Sequence, residues 1–188
     1  AICCFTKEND MRIIHGNHKG KKINPPEGLP VRPTTDMAKE SLFNILNNYF
    51  YFDGIKVLDL CAGTGSISYE FAARGAQSVL SVDIDGSCVK FMEKTARELD
   101  FTNMRVIKAD LIHFLGNCMQ KFNIIFADPP YALEQLPKLP DLILREGWLT
   151  AEGLFILEHG KENDFSDAPG FVELRTYGAV HFSFFERK

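Results

Sequence analysis

The stretch Phe122-Asn123-Ile124-Ile125-Phe126-Ala127-Asp128-Pro129-Pro130-Tyr131 decides the fold and the position of the candidate site. Its first six residues are nearly all apolar, which is typical of a strand buried on both faces of a parallel sheet. The strand must end at the two prolines, because neither ring carries an N–H and Pro130 disfavours helical backbone at Pro129. Ligands of open α/β sheets lie at the carboxyl ends of strands. The sequence therefore places a carboxylate, a free carbonyl and an aromatic ring at that functional edge.

The alternative for this stretch is a purely structural turn. In that interpretation Asp128 caps the following helix and Tyr131 packs into the core. We favour the functional interpretation, because an acid, two prolines and an aromatic residue form an unusual tetrad. A nucleotide-type glycine motif upstream supports the same choice.

That upstream motif is Asp59-Leu60-Cys61-Ala62-Gly63-Thr64-Gly65, at the end of a predicted strand. The glycines let the backbone approach a ligand where a Cβ atom would clash. A dinucleotide-binding loop would have a third glycine, but Ser68 occupies that position. A carboxylate at Asp59 would repel a pyrophosphate, whereas it suits a cationic ligand with an amino group. The loop therefore predicts a nucleotide-type site for a cationic ligand.

Two further acids end the next two predicted strands. Asp83 follows Gly63 at roughly the 20-residue spacing with which Rossmann-type folds bind ribose hydroxyls. Asp110 is placed to accept the amino group of a base while Leu111 covers the ring of that base. The structural alternatives are a surface strand end for Asp83 and a helix N-cap for Asp110. Because these acids recur at successive strand ends, we favour a ligand role for both.

The segment from Met11 to Asn24 is basic, although the whole chain carries a net charge of −4. Gly16-Asn17 between apolar residues predicts a short hairpin. Four cations of the segment face no acid within it, and we interpret them as a phosphate footprint: Arg12, Lys19, Lys21 and Lys22. The alternative is a solvated edge hairpin that its lysines protect from strand pairing.

The remaining sequence predicts one α/β domain. We divide the chain into a flexible leader (residues 1–10), the basic arm with a proline-rich linker (11–33) and the main domain (34–188). Met11 is a candidate natural start. A helix capped by Thr34 or Thr35 opens the domain, with one apolar face: Ala38, Leu42, Ile45, Leu46 and Tyr49.

The sheet is predicted to be mostly parallel, with an antiparallel end. Its parallel strands are Lys56–Leu60, Ser78–Asp83, Met104–Ala109, Phe122–Ala127 and Gly153–Glu158. A helical stretch runs from Leu136 to Arg145. Only about two residues separate the last two apolar runs, too few for a crossover, so they should form an antiparallel hairpin: Phe171–Gly178 and Ala179–Phe185.

Composition excludes several other classes of protein. No stretch approaches the roughly 20 apolar residues that cross a bilayer. The five cysteines form no CxxC pair and no Cys/His zinc spacing, so we expect reduced thiols and no metal: Cys3, Cys4, Cys61, Cys88 and Cys118. These features indicate a soluble, cytoplasmic protein.

Together the glycine loop, the strand-end acids and the Asp128 tetrad resemble class I, Rossmann-like S-adenosylmethionine-dependent methyltransferases of the amino-group type. Three further segments restrict this resemblance to one family of such enzymes: Met11–Gly16, the turn Arg32-Pro33-Thr34, and Lys39–Asn44. They resemble the RsmD family, which methylates a guanine N2 in small-subunit (16S) ribosomal RNA. The likeness runs from about Met11 to the C-terminus, whereas the ten residues before Met11 depart from the family.

The resemblance implies S-adenosylmethionine as cofactor, ribosomal RNA as partner, free or in an assembled small subunit, and a monomer. The implied cofactor contacts are Asp59, Ala62, Gly63, Gly65, Asp83, Ile84, Asp110 and Leu111. The implied catalytic residues are Asp128, Pro129, Pro130 and Tyr131. The implied RNA contacts are Arg12, Lys19, Lys21, Lys22, Arg32 and Thr34.

The tetrad also fits this chemistry on its own terms. An exocyclic amine of guanine is a poor nucleophile, because its lone pair is delocalised into the ring. The Asp128 carboxylate and the Pro129 carbonyl can accept its two N–H bonds and stabilise the positive charge that develops on nitrogen. Tyr131 can stack on the extruded base. No covalent intermediate is needed, and the chain lacks the Pro-Cys pair of cytosine-C5 methyltransferases.

Three alternatives remain open from the sequence. A DNA adenine-N6 methyltransferase shares the tetrad, but 188 residues leave little room for a target-recognition segment. A protein-glutamine methyltransferase uses the same geometry, normally with Asn in place of Asp128. A catalytically silent RNA-binding subunit with this fold is the third alternative, and the intact tetrad argues against it.

Overall fold

The computed structural model describes residues 11–29 and 34–187, and it begins with the arm. Strands β1 (Met11–Arg12) and β2 (Lys22–Ile23) pair antiparallel, with Met11 opposite Ile23. The predicted hairpin is therefore confirmed. Helix α1 (Asp36–Tyr49) follows, and the Thr35 hydroxyl accepts the Ala38 N–H as its N-cap.

The main sheet has seven strands in the order β5-β4-β3-β6-β7-β9-β8. They are β3 (Lys56–Leu60), β4 (Ser78–Asp83), β5 (Met104–Lys108), β6 (Phe122–Ala127), β7 (Leu149–His159), β8 (Phe171–Tyr177) and β9 (Val180–Glu186). Strands β3 to β7 are parallel, and β9 is antiparallel to β7 and β8. The predicted strands and the C-terminal hairpin are confirmed, although β7 is longer than expected.

Helices cover both faces of this sheet. They are α2 (Ser66–Ala73), α3 (Gly86–Glu98), α4 (Leu111–Asn117) and α5 (Leu139–Arg145), the last preceded by a 3₁₀ turn at Leu136–Lys138. Successive strand residues point into two separate apolar clusters, one on each face of the sheet. Ile124 belongs to the cluster formed with α1, α2 and α3, and Ile125 belongs to the cluster formed with α4 and α5. That alternation explains why the central strands are apolar throughout.

The chain order reverses between β3 and β6, which are neighbours in the sheet although two strands separate them in sequence. Such a reversal opens a crevice at the carboxyl ends of the two strands. The sequence ends β6 at Asp128 and leads β3 into the glycine loop, so both candidate motifs flank this crevice. Over residues 11–29 and 34–187, no helix is both long and apolar enough to cross a membrane.

One expected core face is wrong in its details. Tyr49 is 44% exposed, whereas Phe43 and Lys39 of α1 are buried. Glu173 and Glu186 act electrostatically on the Tyr49 hydroxyl. Tyr49 therefore lies near polar side chains of the C-terminal hairpin instead of in the apolar core.

Candidate active site

The glycine loop connects β3 to α2 through left-handed backbone. Cys61, Gly63 and Gly65 have φ values of 59°, 56° and 82°. A Cβ atom on Gly65 would lie 2.8 Å from Cζ of Tyr69, which packs beneath the loop. Gly65 is therefore required both for its φ and for the close approach of backbone to this ring.

Asp83 connects the glycine loop to the end of β4. Its Oδ2 accepts the Gly63 N–H at 2.7 Å, and its Oδ1 accepts the Asp85 N–H at 2.8 Å. Each carboxylate oxygen keeps a further lone pair for a hydroxyl ligand. The next residue, Ile84, is 65% exposed, so it offers apolar surface beside this acid. The ribose role of Asp83 stays a prediction.

Asp110 and Leu111 stand at the end of β5. The Asp110 side chain caps α4 by accepting the His113 N–H at 3.0 Å, as its structural alternative stated. This cap uses one carboxylate oxygen and leaves the exposed side chain able to bind a ligand. Leu111 is only 6% exposed and packs in the α4 cluster, so Ile84 presents more apolar surface than Leu111.

Asp59 is the most deeply buried acid of this edge, at 1% exposure. Its Oδ2 accepts the Ser68 hydroxyl at 2.5 Å, and Ser68 Oγ lies 2.6 Å from Ser81 Oγ. Burial raises the pKa of Asp59 to about 7. Ser68, at the position of the third glycine of a dinucleotide loop, thus partners the buried acid instead. A direct cofactor contact of Asp59 stays a prediction.

The Asp128 tetrad leaves β6 at the crevice. The Asp128 N–H donates to the Leu60 carbonyl at 3.2 Å, which fixes the backbone of Asp128 beside the glycine loop. Burial raises the pKa of its carboxyl to about 7. Pro129 is buried, Pro130 is exposed, and the Tyr131 side chain is 50% exposed. Because Tyr131 is not packed in the core and no helix starts within residues 128–135, the structural alternative for this turn is wrong.

Glu158, at the end of β7, is a site residue that the sequence interpretation missed. Ala127 pairs with Leu157, so Glu158 lies beside Asp128 on the neighbouring strand. The Glu158 side chain is 5% exposed. Burial, together with the nearby charges of Asp128 and Asp59, raises its pKa to about 9. The sequence could have indicated this residue, because Glu158 follows an apolar run just as Asp83 and Asp128 do.

The arm is joined to the glycine-loop side of the domain by a second missed residue, Lys39. This buried lysine donates from Nζ to the Arg12 carbonyl at 2.6 Å and to the Ser66 hydroxyl, at the start of α2, at 3.1 Å. Its burial lowers the pKa of its ammonium group. Lys39 therefore connects the arm, α1 and the helix that follows the glycine loop.

Glu70 anchors the arm at the middle of α2. Its buried carboxylate accepts the N–H groups of Ile14 and His15 at 2.8 and 3.0 Å. The Asn17 N–H then donates to the Ala73 carbonyl, at the end of α2, at 3.1 Å. The arm thus runs beside α2 over the whole helix, about 12 Å at 1.5 Å per residue. Its tip lies at the end of α2 that is away from the crevice.

The predicted RNA contacts lie in four different settings. Lys19, Lys21 and Lys22 are exposed. Arg12, in contrast, pairs with Asp36 of α1 at 2.6 Å, so the expectation that it faces no acid holds only within its own segment. Thr34 lies against Glu158, and Arg32 is outside the described residues.

Comparison with known proteins gives consistent matches over nearly the whole chain. A family model described as "Conserved hypothetical protein 95" matches residues 11–186. Ribosomal RNA small subunit methyltransferase D of Escherichia coli (strain K12) is 30% identical over 181 residues, covering 95% of this chain and 90% of that protein. The Bacillus subtilis protein YlbH is 31% identical over 185 residues, covering 95% and 100%. The solved structure of Escherichia coli yhhF is 28% identical with a TM-score of 0.82, covering 95% and 98%.

Proposed function

The chain belongs to the conserved hypothetical protein 95 family, the RsmD-type methyltransferases, and from that premise we propose that it methylates the N2 amine of a guanine in small-subunit ribosomal RNA with S-adenosylmethionine as donor. The observation that carries this proposal is the tetrad at the end of β6. It presents a partly buried carboxyl and an exposed aromatic ring at the crevice between β3 and β6.

The residues around the glycine loop fit the nucleoside part of the proposed cofactor. Asp83 keeps free lone pairs for ribose hydroxyls, Ile84 offers exposed apolar surface to a purine ring, and Asp110 can accept an amino group. The loop backbone at Ala62, Gly63 and Gly65 would hold the remainder, with Asp59 behind it. When bound, the donor supplies an electrophilic methyl group carried by a sulfonium.

Asp128 would act on the amine of the substrate. Its carboxylate and the Pro129 carbonyl would each accept one N–H of the exocyclic amine, which turns the nitrogen lone pair out of conjugation with the ring. A nitrogen that gains a methyl group must then lose a proton. A carboxyl with a pKa near 7 can accept this proton and release it to water near neutral pH.

Tyr131 would hold the base in place for this step. Its half-exposed ring offers a stacking surface beside Asp128, and such a surface requires a base that has left its own stack. Correct orientation of the reacting groups accounts for much of the rate in reactions of this kind.

The arm would bind the RNA backbone through Lys19, Lys21 and Lys22, with Arg12 and Thr34 nearer the crevice. Arg32 stays a predicted RNA contact. Because the arm follows α2, an RNA that contacts both its tip and the tetrad would extend over at least about 12 Å. We retain the division into leader, arm and main domain as part of this proposal. We also propose that the chain acts as a monomer.

The proposal is tested by methyl transfer from labelled S-adenosylmethionine, followed by mass spectrometry of the digested product. We expect N2-methylguanosine in small-subunit ribosomal RNA, offered as naked transcript and as assembled subunits, with no transfer to DNA or protein. An Asp128→Ala protein purified in parallel is the control for contaminating activity. Label in adenine-N6 or in glutamine would show that one of the other amino-group activities is correct, and no transfer to any substrate would favour a silent subunit.

A further inference from the structure

The mechanism above leaves one buried acid of the crevice without a role. Glu158 Oε2 has no hydrogen-bond partner in the part of the chain that the structure describes, although the side chain is 95% buried. Buried polar atoms of this kind are uncommon in native proteins, and each one calls for an explanation such as a catalytic role or a bound water or ion. The only hydroxyl that acts on this carboxyl among the residues described belongs to Thr34.

Glu158 faces the same space as the residues of the tetrad. The charges of Glu158 and Asp128 both act on the Tyr131 hydroxyl, and Asp128 also acts on Glu158, so the three side chains are close to one another. Glu158 and Asp128 occupy adjacent positions on neighbouring strands, which are about 4.8 Å apart. That spacing is comparable with the distance between N2 and O6, which lie at the two ends of the same edge of guanine.

We propose that Glu158 recognises the target base as guanine, by pairing with its N1–H and O6 while Asp128 holds the N2 amine. This inference rests on the proposed function and extends it to the choice of base.

The protonation of the two acids makes this pairing chemically consistent. Three carboxyls share the crevice, and repulsion from Asp128 and Asp59 favours the neutral form of Glu158. A neutral carboxyl has one donor and one acceptor, which match the O6 acceptor and the N1–H donor of guanine. An ionised Glu158 would instead be repelled by O6. Adenine has no 2-amino group for Asp128 to hold, and its N1 and N6 amine present acceptor and donor in the reverse order, so it would not form this pair in the same position.

The first test uses 2-aminopurine, which keeps the 2-amino group but lacks both N1–H and O6. We replace the target guanine of small-subunit ribosomal RNA, located by the mass spectrometry described above, with 2-aminopurine by ligation. Single-turnover methyl transfer should then be about 10–100-fold slower than with guanine, the usual discrimination of one two-hydrogen-bond pair. Equal rates on guanine and 2-aminopurine would overturn the inference while leaving the proposed function intact. Failure to methylate guanine itself would overturn the proposed function.

The second test uses variants of Glu158. Glu158→Gln preserves one donor and one acceptor, so we expect a loss of only about threefold on guanine. Glu158→Leu should slow guanine about 10–100-fold, with a much smaller effect on 2-aminopurine. Glu152→Gln, an exposed position on the same strand, is the matched control and should change neither rate. Calorimetry of cofactor binding verifies that each variant is folded.

The pattern of these rates decides between recognition and a structural role. If Glu158→Leu slows methyl transfer to both bases equally, Glu158 does not recognise the base. The same conclusion follows if transfer to guanine by Glu158→Gln is as slow as by Glu158→Leu. The wild-type comparison of the two bases decides the question even where a variant does not fold.

Discussion

Asp128→Asn is expected to change activity and stability in opposite directions. The amide preserves the shape of the side chain but removes its charge. No hydrogen bond to the Asp128 carboxylate is present within residues 11–29 and 34–187. The substitution therefore removes no described support of the fold, and its effect on stability comes from the burial of the charge.

The sign and size of that effect follow from the raised pKa. The folded state holds the Asp128 proton up to about pH 7, whereas the unfolded chain releases it near 3.8. Stability is therefore lost as the pH rises from about 4 to about 7, and the loss persists above that range. The difference between 3.8 and about 7 corresponds to at most about 4 kcal/mol, at about 1.36 kcal/mol per pH unit. Because the side chain keeps some contact with water, we expect Asp128→Asn to stabilise the fold by about 1–3 kcal/mol at pH 8 and hardly at all at pH 4.

Activity should move the other way. The wild-type single-turnover rate should rise with pH through about 7, as Asp128 ionises, and Asp128→Asn should lack this rise while keeping partial activity. Asp128→Ala should transfer methyl groups about 10²–10³-fold more slowly, with cofactor affinity nearly unchanged.

Urea unfolding at pH 4 and pH 8, together with single-turnover transfer at saturating RNA and cofactor, measures both effects. Asp167→Asn, at an exposed position away from the crevice strands, is the control. A wild-type transfer rate in Asp128→Ala, or an Asp128→Asn protein that is less stable at pH 8, would refute this account of the carboxyl.

Three further predictions concern cofactor, RNA and fold. Asp83→Ala should weaken cofactor binding by about 1–3 kcal/mol in calorimetry, and an unchanged affinity would remove the ribose assignment. Neutralising Lys19, Lys21 and Lys22 together should flatten the salt dependence of RNA binding by roughly 0.7–0.9 in log–log slope per lost phosphate contact, whereas an unchanged slope would identify the arm as an edge-protecting hairpin. Glu70→Gln should lower the free energy of unfolding by about 3 kcal/mol and Tm by roughly 6–12 °C, because charge-assisted hydrogen bonds to the arm and to Arg74 are weakened. An unchanged Tm, together with unchanged amide protection at the arm, would contradict this prediction.

The sheet was predictable because the apolar residues of each strand indicate by themselves that the strand is buried. An apolar run such as Phe122–Ala127 is buried on both faces wherever it pairs, and the two prolines fix its end. The strand-end acids followed from the same rule, since the carboxyl edge of a parallel sheet collects whatever residue ends each strand. That rule brought Asp83, Asp110 and Asp128 to one edge.

The residues missed were those whose roles depend on distant partners. In the sequence Lys39 is an ordinary helical lysine. Its role depends on hydrogen bonds to the Arg12 carbonyl and the Ser66 hydroxyl, which only the folded structure brings near it. Glu70 likewise sits in a helix of eight residues whose side chains are all buried, and its partners are backbone N–H groups 55 and 56 residues earlier in the chain. Such contacts are set by tertiary packing, which local patterns do not contain.

The attachment of the arm along α2 determines how its part in RNA binding can be studied. Removing residues 11–23 is the usual way to ask what a basic extension does. Here that truncation would strip two backbone donors from Glu70 and the carbonyl partner from Lys39, and it would expose the part of the core against which Ile13 and other apolar side chains of the arm pack. A truncated protein that fails to modify RNA would therefore report on damage to α1, α2 and the neighbouring glycine loop as much as on lost phosphate contacts. Charge reversal at the exposed lysines leaves the backbone in place, so it tests the loss of phosphate contacts separately from damage to the fold.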